Sequence, residues 1–179
     1  MSSIKVISGS CVDQYVDAIV NAANKSLLAG SGVCGEIFSR AGLNELSKAC
    51  REYNTPLSDG DAVITPAFGI SNAKNIIHAV GPNFMITPDA MGKLYSAYYN
   101  SLVVLKENDL HSIAFPLISS GIFGGNLENS VGESTRMCLL AYNKFIAENK
   151  DYDIEVLLCA YTEEELIEAE NVYNSFFGE

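Results

Sequence analysis

Six short apolar runs alternating with helical patterns predict a three-layer α/β/α sandwich around a mixed, mostly parallel central sheet. Two observations carry that expectation. Several of the runs are apolar at nearly every position, which suits strands covered on both faces. The segments between them repeat apolar residues at steps near three and four, the spacing that gives a helix one buried stripe. At 179 residues the chain is expected to form a single domain, 1–179, long enough to bury a sizeable core.

In order, the expected strands are IKVIS (4–8), AIVNA (18–22), DAVITP (61–66), NIIHAV (75–80), SIAFPLIS (112–119) and EVLLCAY (155–161). A helix is expected over 33–53, where Phe38, Ala41, Leu46, Ala49, Cys50 and Tyr53 recur on one face. A second, over 92–107, has Tyr95, Tyr98, Tyr99, Leu102 and Leu105. A third, over 128–147, has Val131, Cys138, Ala141, Tyr142 and Phe145. The last, over 163–177, has Leu166, Ala169, Tyr173, Phe176 and Phe177. Thr162 and Glu165 have capping-box spacing at its start. No internal repeat, low-complexity tract or linker interrupts this alternation.

Composition narrows the function. A formal charge of −11 argues against a non-specific nucleic-acid binder or a binder of anionic membranes, since both use a basic face. Ten of the 22 acids follow Ala147, which reads as a solvated C-terminal surface. No apolar run approaches the ~20 residues needed to span a bilayer. MSSIKVISG has no basic stretch leading into an apolar segment. A cytoplasmic monomer is expected. The five cysteines, at 11, 34, 50, 138 and 159, form no CxxC pair and mostly sit in apolar patterns, which predicts reduced, buried thiols. With only His78 and His111 to complete a cluster, neither a metal nor a cofactor is expected.

In a mostly parallel sheet, ligands bind outside the carboxyl ends of the strands. That points to loops 22–34, 119–126 and 161–163. In the first, Gly30, Ser31 and Gly32 precede a helix. Glycine lets backbone approach a ligand, and a helix N-terminus presents free N–H groups with partial positive charge. The loop lacks the GxxxxGK[ST] and GxGxxG patterns, so a phosphate site and an ordinary βα turn both stand. The second loop carries Ser120, Gly121, Gly124 and Gly125 around Phe123. That ring either covers a ligand or tucks into the core. Two such loops facing each other could hold a diphosphate. Asn24, with an amide that both donates and accepts, is a candidate for sugar hydroxyls. For Asn21, a turn or capping amide is the preferred reading. Tyr161 offers a ring for a base, or packing. His78, within an apolar strand, is read as a satisfied core residue.

Together these residues resemble the macrodomain family, which binds ADP-ribose. VDAIVNAAN (16–24) looks like its strand-and-asparagine signature, and AGSGVCGEIFSRAG (29–42) like its first phosphate loop and helix. IIHAVGP (76–82) is similar to its central strand, and SIAFPLISSGIFGG (112–125) to its second loop. The resemblance spans nearly the whole chain in the expected order. It implies that Asn24 binds the distal ribose and carries catalysis. It also implies that backbone at Gly30, Ser31, Gly32, Val33 and Cys34, and at Ser119, Ser120, Gly121, Ile122 and Phe123, surrounds the diphosphate. Phe123 would flank the distal ribose, Tyr161 would stack near adenine, and Ala22 would line the pocket.

The chain departs from the family pattern in three places. Gly9-Ser10-Cys11 stands where the family usually has Gly-Asp-Ile, with the Asp reading the adenine amino group, so the resemblance implies that Ser10 and Cys11 bind the ligand there, Ser10 as a neutral and weaker acceptor. GVCGEIF stands where hydrolytic members often read GVDGAIH, so Cys34 replaces an Asp and Phe38 a His. The implied activity is hydrolysis of an ester at the distal ribose, either removing mono-ADP-ribose from acidic protein side chains or deacetylating O-acetyl-ADP-ribose. In it, the bound diphosphate and Asn24 would position a water. Cys34 as a nucleophile or as a packed thiol both remain. A non-catalytic ADP-ribose reader is the alternative, and a different nucleotide or phosphosugar binder is a third reading.

Overall fold

The computed structural model describes residues 1–178. Its strands are β1 (Ser3–Ser8), β2 (Val16–Ala23), β3 (Ala62–Pro66), β4 (Ala73–Val80), β5 (Ser112–Pro116) and β6 (Glu155–Ala160). Its helices are α1 (Gly32–Ala41), α2 (Leu43–Cys50), α3 (Ala90–Glu107), α4 (Ser130–Glu148) and α5 (Glu163–Phe176). The sheet order is β1-β6-β5-β2-β4-β3. Only the β3–β4 pair runs antiparallel, which gives the expected mixed sheet.

Both faces of the sheet are covered. On one, Ala18, Val20, Ile77, Ala79, Ile113 and Phe115 pack against the α3, α4 and α5 side, where Tyr98, Leu102 and Phe145 are buried. On the other, Ile19, Ile76, Val80 and Ala114 pack against α1 and α2 through Ile37, Phe38 and Leu46. Alternate residues of β2 and β4 thus serve opposite cores, which is why those strands read as unbroken apolar runs. Each fully buried Leu, Ile or Phe contributes about 1.5–3 kcal/mol.

Two boundaries differ from expectation. The helix expected over 33–53 breaks at Gly42, whose φ of 112° is unsuited to other residues and whose N–H closes the first helix on the Phe38 carbonyl at 3.1 Å. The strand expected over 112–119 pairs only as far as Pro116. Ser119 then adopts φ 58°, and the chain turns into the second loop. At α5 the capping box forms as the spacing suggested, with Thr162 Oγ1 accepting the Glu165 N–H at 3.1 Å and Glu165 Oε1 accepting the Thr162 N–H at 3.0 Å.

Candidate functional site

The carboxyl ends of β1, β5 and β6, with the first turns of α1, open onto one cavity of about 540 Å³. Of the expected site residues, Ser10, Cys11, Gly32, Val33, Ser120, Gly121 and Tyr161 line it. Gly9, Glu36, Pro116, Leu117, Cys159 and Glu165 complete the lining and were not anticipated. Signals for three of them were present. Glu36 lies one turn beyond Gly32, Cys159 shares a strand face with Tyr161 by the two-residue alternation, and Glu165 was already placed by its cap.

The helix end that meets the cavity differs from those of α4 and α5. α4 is capped by Asn129, whose Oδ1 accepts the Gly132 N–H at 2.9 Å, and α5 by Thr162. At α1 the N-cap residue Ser31 makes no side-chain cap bond, and the first turn holds no acid. Its leading N–H groups, Gly32 and Val33 among them, are therefore left for an anion. Charge nearby is otherwise negative or neutralised. Arg40 pairs with Asp13 at 2.7 Å and with Glu36 at 3.3 Å, and Glu165 Oε1 also accepts the Tyr161 N–H at 3.0 Å. An anionic ligand here would depend on backbone donors.

The second loop is anchored from beneath. Hydroxyls hold its carbonyls: Ser120 Oγ donates to Leu117 at 2.8 Å, Ser134 Oγ to Ile118 at 2.6 Å and Ser130 Oγ to Ser120 at 2.7 Å. Ser119 Oγ donates to the Pro82 carbonyl at 2.7 Å, so its side chain faces inward and only its backbone is available. A non-glycine residue at positive φ needs such support to persist, and Ser119 has it. Ile122 and Phe123 are exposed at the loop tip, with the Phe123 carbonyl accepting the Phe84 N–H at 2.8 Å. Phe123 therefore does not enter the core.

Asn24 sits just past β2. Its Nδ2 donates to the Leu28 carbonyl at 2.7 Å, and its Oδ1 accepts the Leu28 N–H at 2.9 Å. This clamp fixes the amide yet leaves one hydrogen on Nδ2 and one acceptor site on Oδ1 for a ligand. Asn24 and Ala22, half-buried, and Gly30 and Ser31, exposed, do not line the cavity, and neither do Cys34, Ser119, Ile122 and Phe123. Ser10 lines it, but its hydroxyl accepts the Val12 N–H at 3.2 Å and caps a short 3-10 turn, Cys11–Asp13. Cys11 is buried, its thiol directed to the Val20 carbonyl at 3.6 Å and its pKa pushed up by burial.

Asn21 departs from the turn or cap reading. β2 continues through Ala23, so Asn21 lies within the strand, 1% exposed, and its Nδ2 meets His78 Nδ1 at 3.0 Å. His78 Nε2 meets Thr65 Oγ1 at 2.9 Å, which makes it the satisfied core histidine expected, and burial lowers its pKa to about 4. Cys34 is buried in the first turn of α1, and burial raises its thiol pKa. It is therefore a neutral thiol near pH 7, which disfavours the nucleophile reading.

Comparison with known proteins identifies relatives of this chain. The Macro domain family model matches residues 20–132. An O-acetyl-ADP-ribose deacetylase of Salmonella typhimurium is 44% identical over 69% of this chain and 70% of its own length. The ADP-ribose glycohydrolase MACROD2 of Xenopus laevis is 37% identical over 97% of this chain but only 40% of its own length. Among solved structures, an Oceanobacillus iheyensis macrodomain variant with ADPR superposes with a TM-score of 0.87 at 32% identity, over 99% of this chain and 95% of that one.

Proposed function

Since the chain belongs to the Macro domain family, we propose that it binds ADP-ribose in the cavity between α1 and the second loop and hydrolyses an ester at the distal ribose. The substrate would be either mono-ADP-ribose carried on acidic protein side chains or O-acetyl-ADP-ribose. One observation carries the reading: an uncapped, acid-free helix N-terminus and a backbone loop tied down by three serine hydroxyls flank one cavity, with the exposed Tyr161 ring also on its wall. The diphosphate lies against backbone N–H groups, adenine stacks by Tyr161, and the distal ribose reaches Asn24. The names of the deacetylase and glycohydrolase relatives support the choice of reaction.

In the reaction, water supplies the oxygen that replaces the ester bond, releasing a carboxylic acid and a free ribose hydroxyl. Asn24, fixed by Leu28, and a diphosphate oxygen orient that water. Orientation of this kind lowers a barrier by several kcal/mol, on the order of 7 or more in the best-aligned cases. The Cys34 thiol stays protonated and forms no bond to substrate.

The competing reading is a reader module without turnover. It is favoured by the scarcity of a general base: of the two carboxylates lining the cavity, Glu36 is paired with Arg40 and Glu165 caps α5. Titrating ADP-ribose in a calorimeter and incubating O-acetyl-ADP-ribose with the protein separates the two. Heat of binding with acetate release supports the hydrolase, and heat with intact substrate supports the reader.

A further inference from the structure

The first loop holds a second arrangement around the Leu28 carbonyl. That oxygen accepts twice, from Asn24 Nδ2 at 2.7 Å and from the Cys34 thiol at 3.6 Å. The Asn24 clamp and Cys34 therefore meet on one atom. Gly30 lies against both: a β-carbon there would stand 3.6 Å from Cys34 Sγ and 3.9 Å from Asn24 Nδ2. The segment also carries strain, since Leu27 adopts φ 54° with its N–H on the Asn24 carbonyl at 3.1 Å. A β-carbon-bearing residue in that conformation persists only where its surroundings over-determine it.

The neighbouring strands β2, β3 and β4 hold a buried polar row. Thr65 Oγ1, His78 and the Asn21 amide are joined at 2.9 and 3.0 Å. Asn21 Oδ1 is the buried side-chain oxygen that, among the described residues, has no hydrogen-bond partner. Cys34, in the first turn of α1, thus holds the loop that carries Asn24 through the Leu28 carbonyl.

We infer that Cys34 is a positioning residue. Its thiol ties the Leu28 carbonyl to the first turn of α1, and so fixes the clamp that holds Asn24. The inference rests on the proposed role of Asn24 at the distal ribose. A thiol fits this place because sulfur reaches farther than a hydroxyl while asking less of its surroundings when buried. An Ala side chain leaves the Leu28 carbonyl with one partner and opens a gap under a strained turn. A Ser side chain restores a donor on a shorter bond.

The test uses Cys34→Ala and Cys34→Ser, with amide hydrogen exchange at Leu28, ADP-ribose affinity and the kcat and KM for ester hydrolysis as readouts. In Cys34→Ala, Leu28 exchange should quicken about fivefold to tenfold, the weight of one modest hydrogen bond. kcat should fall about 10- to 100-fold, as expected for a misaimed group, while KM changes less. Cys34→Ser should recover much of both. Unaltered Leu28 exchange in Cys34→Ala overturns the inference. So does equal inactivity of the Ala and Ser variants with Leu28 still protected, because that pattern belongs to a reacting thiol. Should Cys34→Ala not fold, the wild-type pH–rate profile decides: a rate independent of thiol ionisation agrees with positioning, and a rate climbing with it does not. If the protein hydrolyses nothing, Leu28 exchange and ADP-ribose affinity still test the inference, separately from the hydrolase reading.

Discussion

Gly35 faces the carbonyl of Gly30 so closely that a β-carbon on Gly35 would stand 2.4 Å from that oxygen. The first turn of α1 thereby packs on its own preceding loop, backbone to backbone, and fixes how the helix end meets the cavity. Alanine inside a helix normally gains about 1 kcal/mol over glycine. Here the clash wins, because the obstructing atom is backbone and the loop has to move. Gly35→Ala should lower stability by about 1–3 kcal/mol and weaken ADP-ribose binding as well. Thermal melting and calorimetry check both, and a variant more stable than wild type would show that the loop yields freely.

Tyr161 separates binding from folding. Its ring is 76% exposed and only borders the cavity. Tyr161→Ala should leave the melting temperature within a degree or so and weaken ADP-ribose binding by about 1–3 kcal/mol, the usual weight of a stacked base. Unaltered affinity would remove Tyr161 from the adenine end.

His78 gives the fold a dependence on acid. Burial holds its folded pKa at about 4, against 6.5 ordinarily. Between those values the unfolded chain binds a proton that the folded one refuses, so stability falls as pH drops from about 6.5 and the loss levels off below about 4. The difference amounts to on the order of 3 kcal/mol. His78→Gln, which has no titrating ring, should lose correspondingly less stability over the same window. Denaturant titrations at pH 7, 5.5 and 4 measure it, and parallel slopes for the two proteins would refute it.

Much of the architecture was legible because β2 and β4 are buried on both faces and announce themselves as unbroken apolar runs. Strand direction was not. DAVITP reads the same whichever way it runs, and only its pairing with β4 makes β3 antiparallel. The break at Gly42 was signalled by a glycine following Arg40 and Ala41, a usual helix ending, yet the apolar spacing continued across it. In the site, the bare loops were visible as glycines before helices. The place of Asn21 was not, because its partner His78 is 57 residues away in sequence and meets it only through the register of β2 with β4. The clamp of Asn24 on Leu28 depends on a positive φ at Leu27, which an ordinary leucine does not advertise.

In the proposed reaction Asn24, held by Leu28, acts on an ester at the distal ribose. The most direct measurement is a time course of ADP-ribose release from a protein mono-ADP-ribosylated on its acidic side chains, with Asn24→Ala alongside. The wild type should release ADP-ribose, and the variant should lose about 100-fold or more of that rate, with both shown folded by thermal melt. Release that is undiminished in Asn24→Ala, or no release at high concentration of wild-type protein, would contradict it.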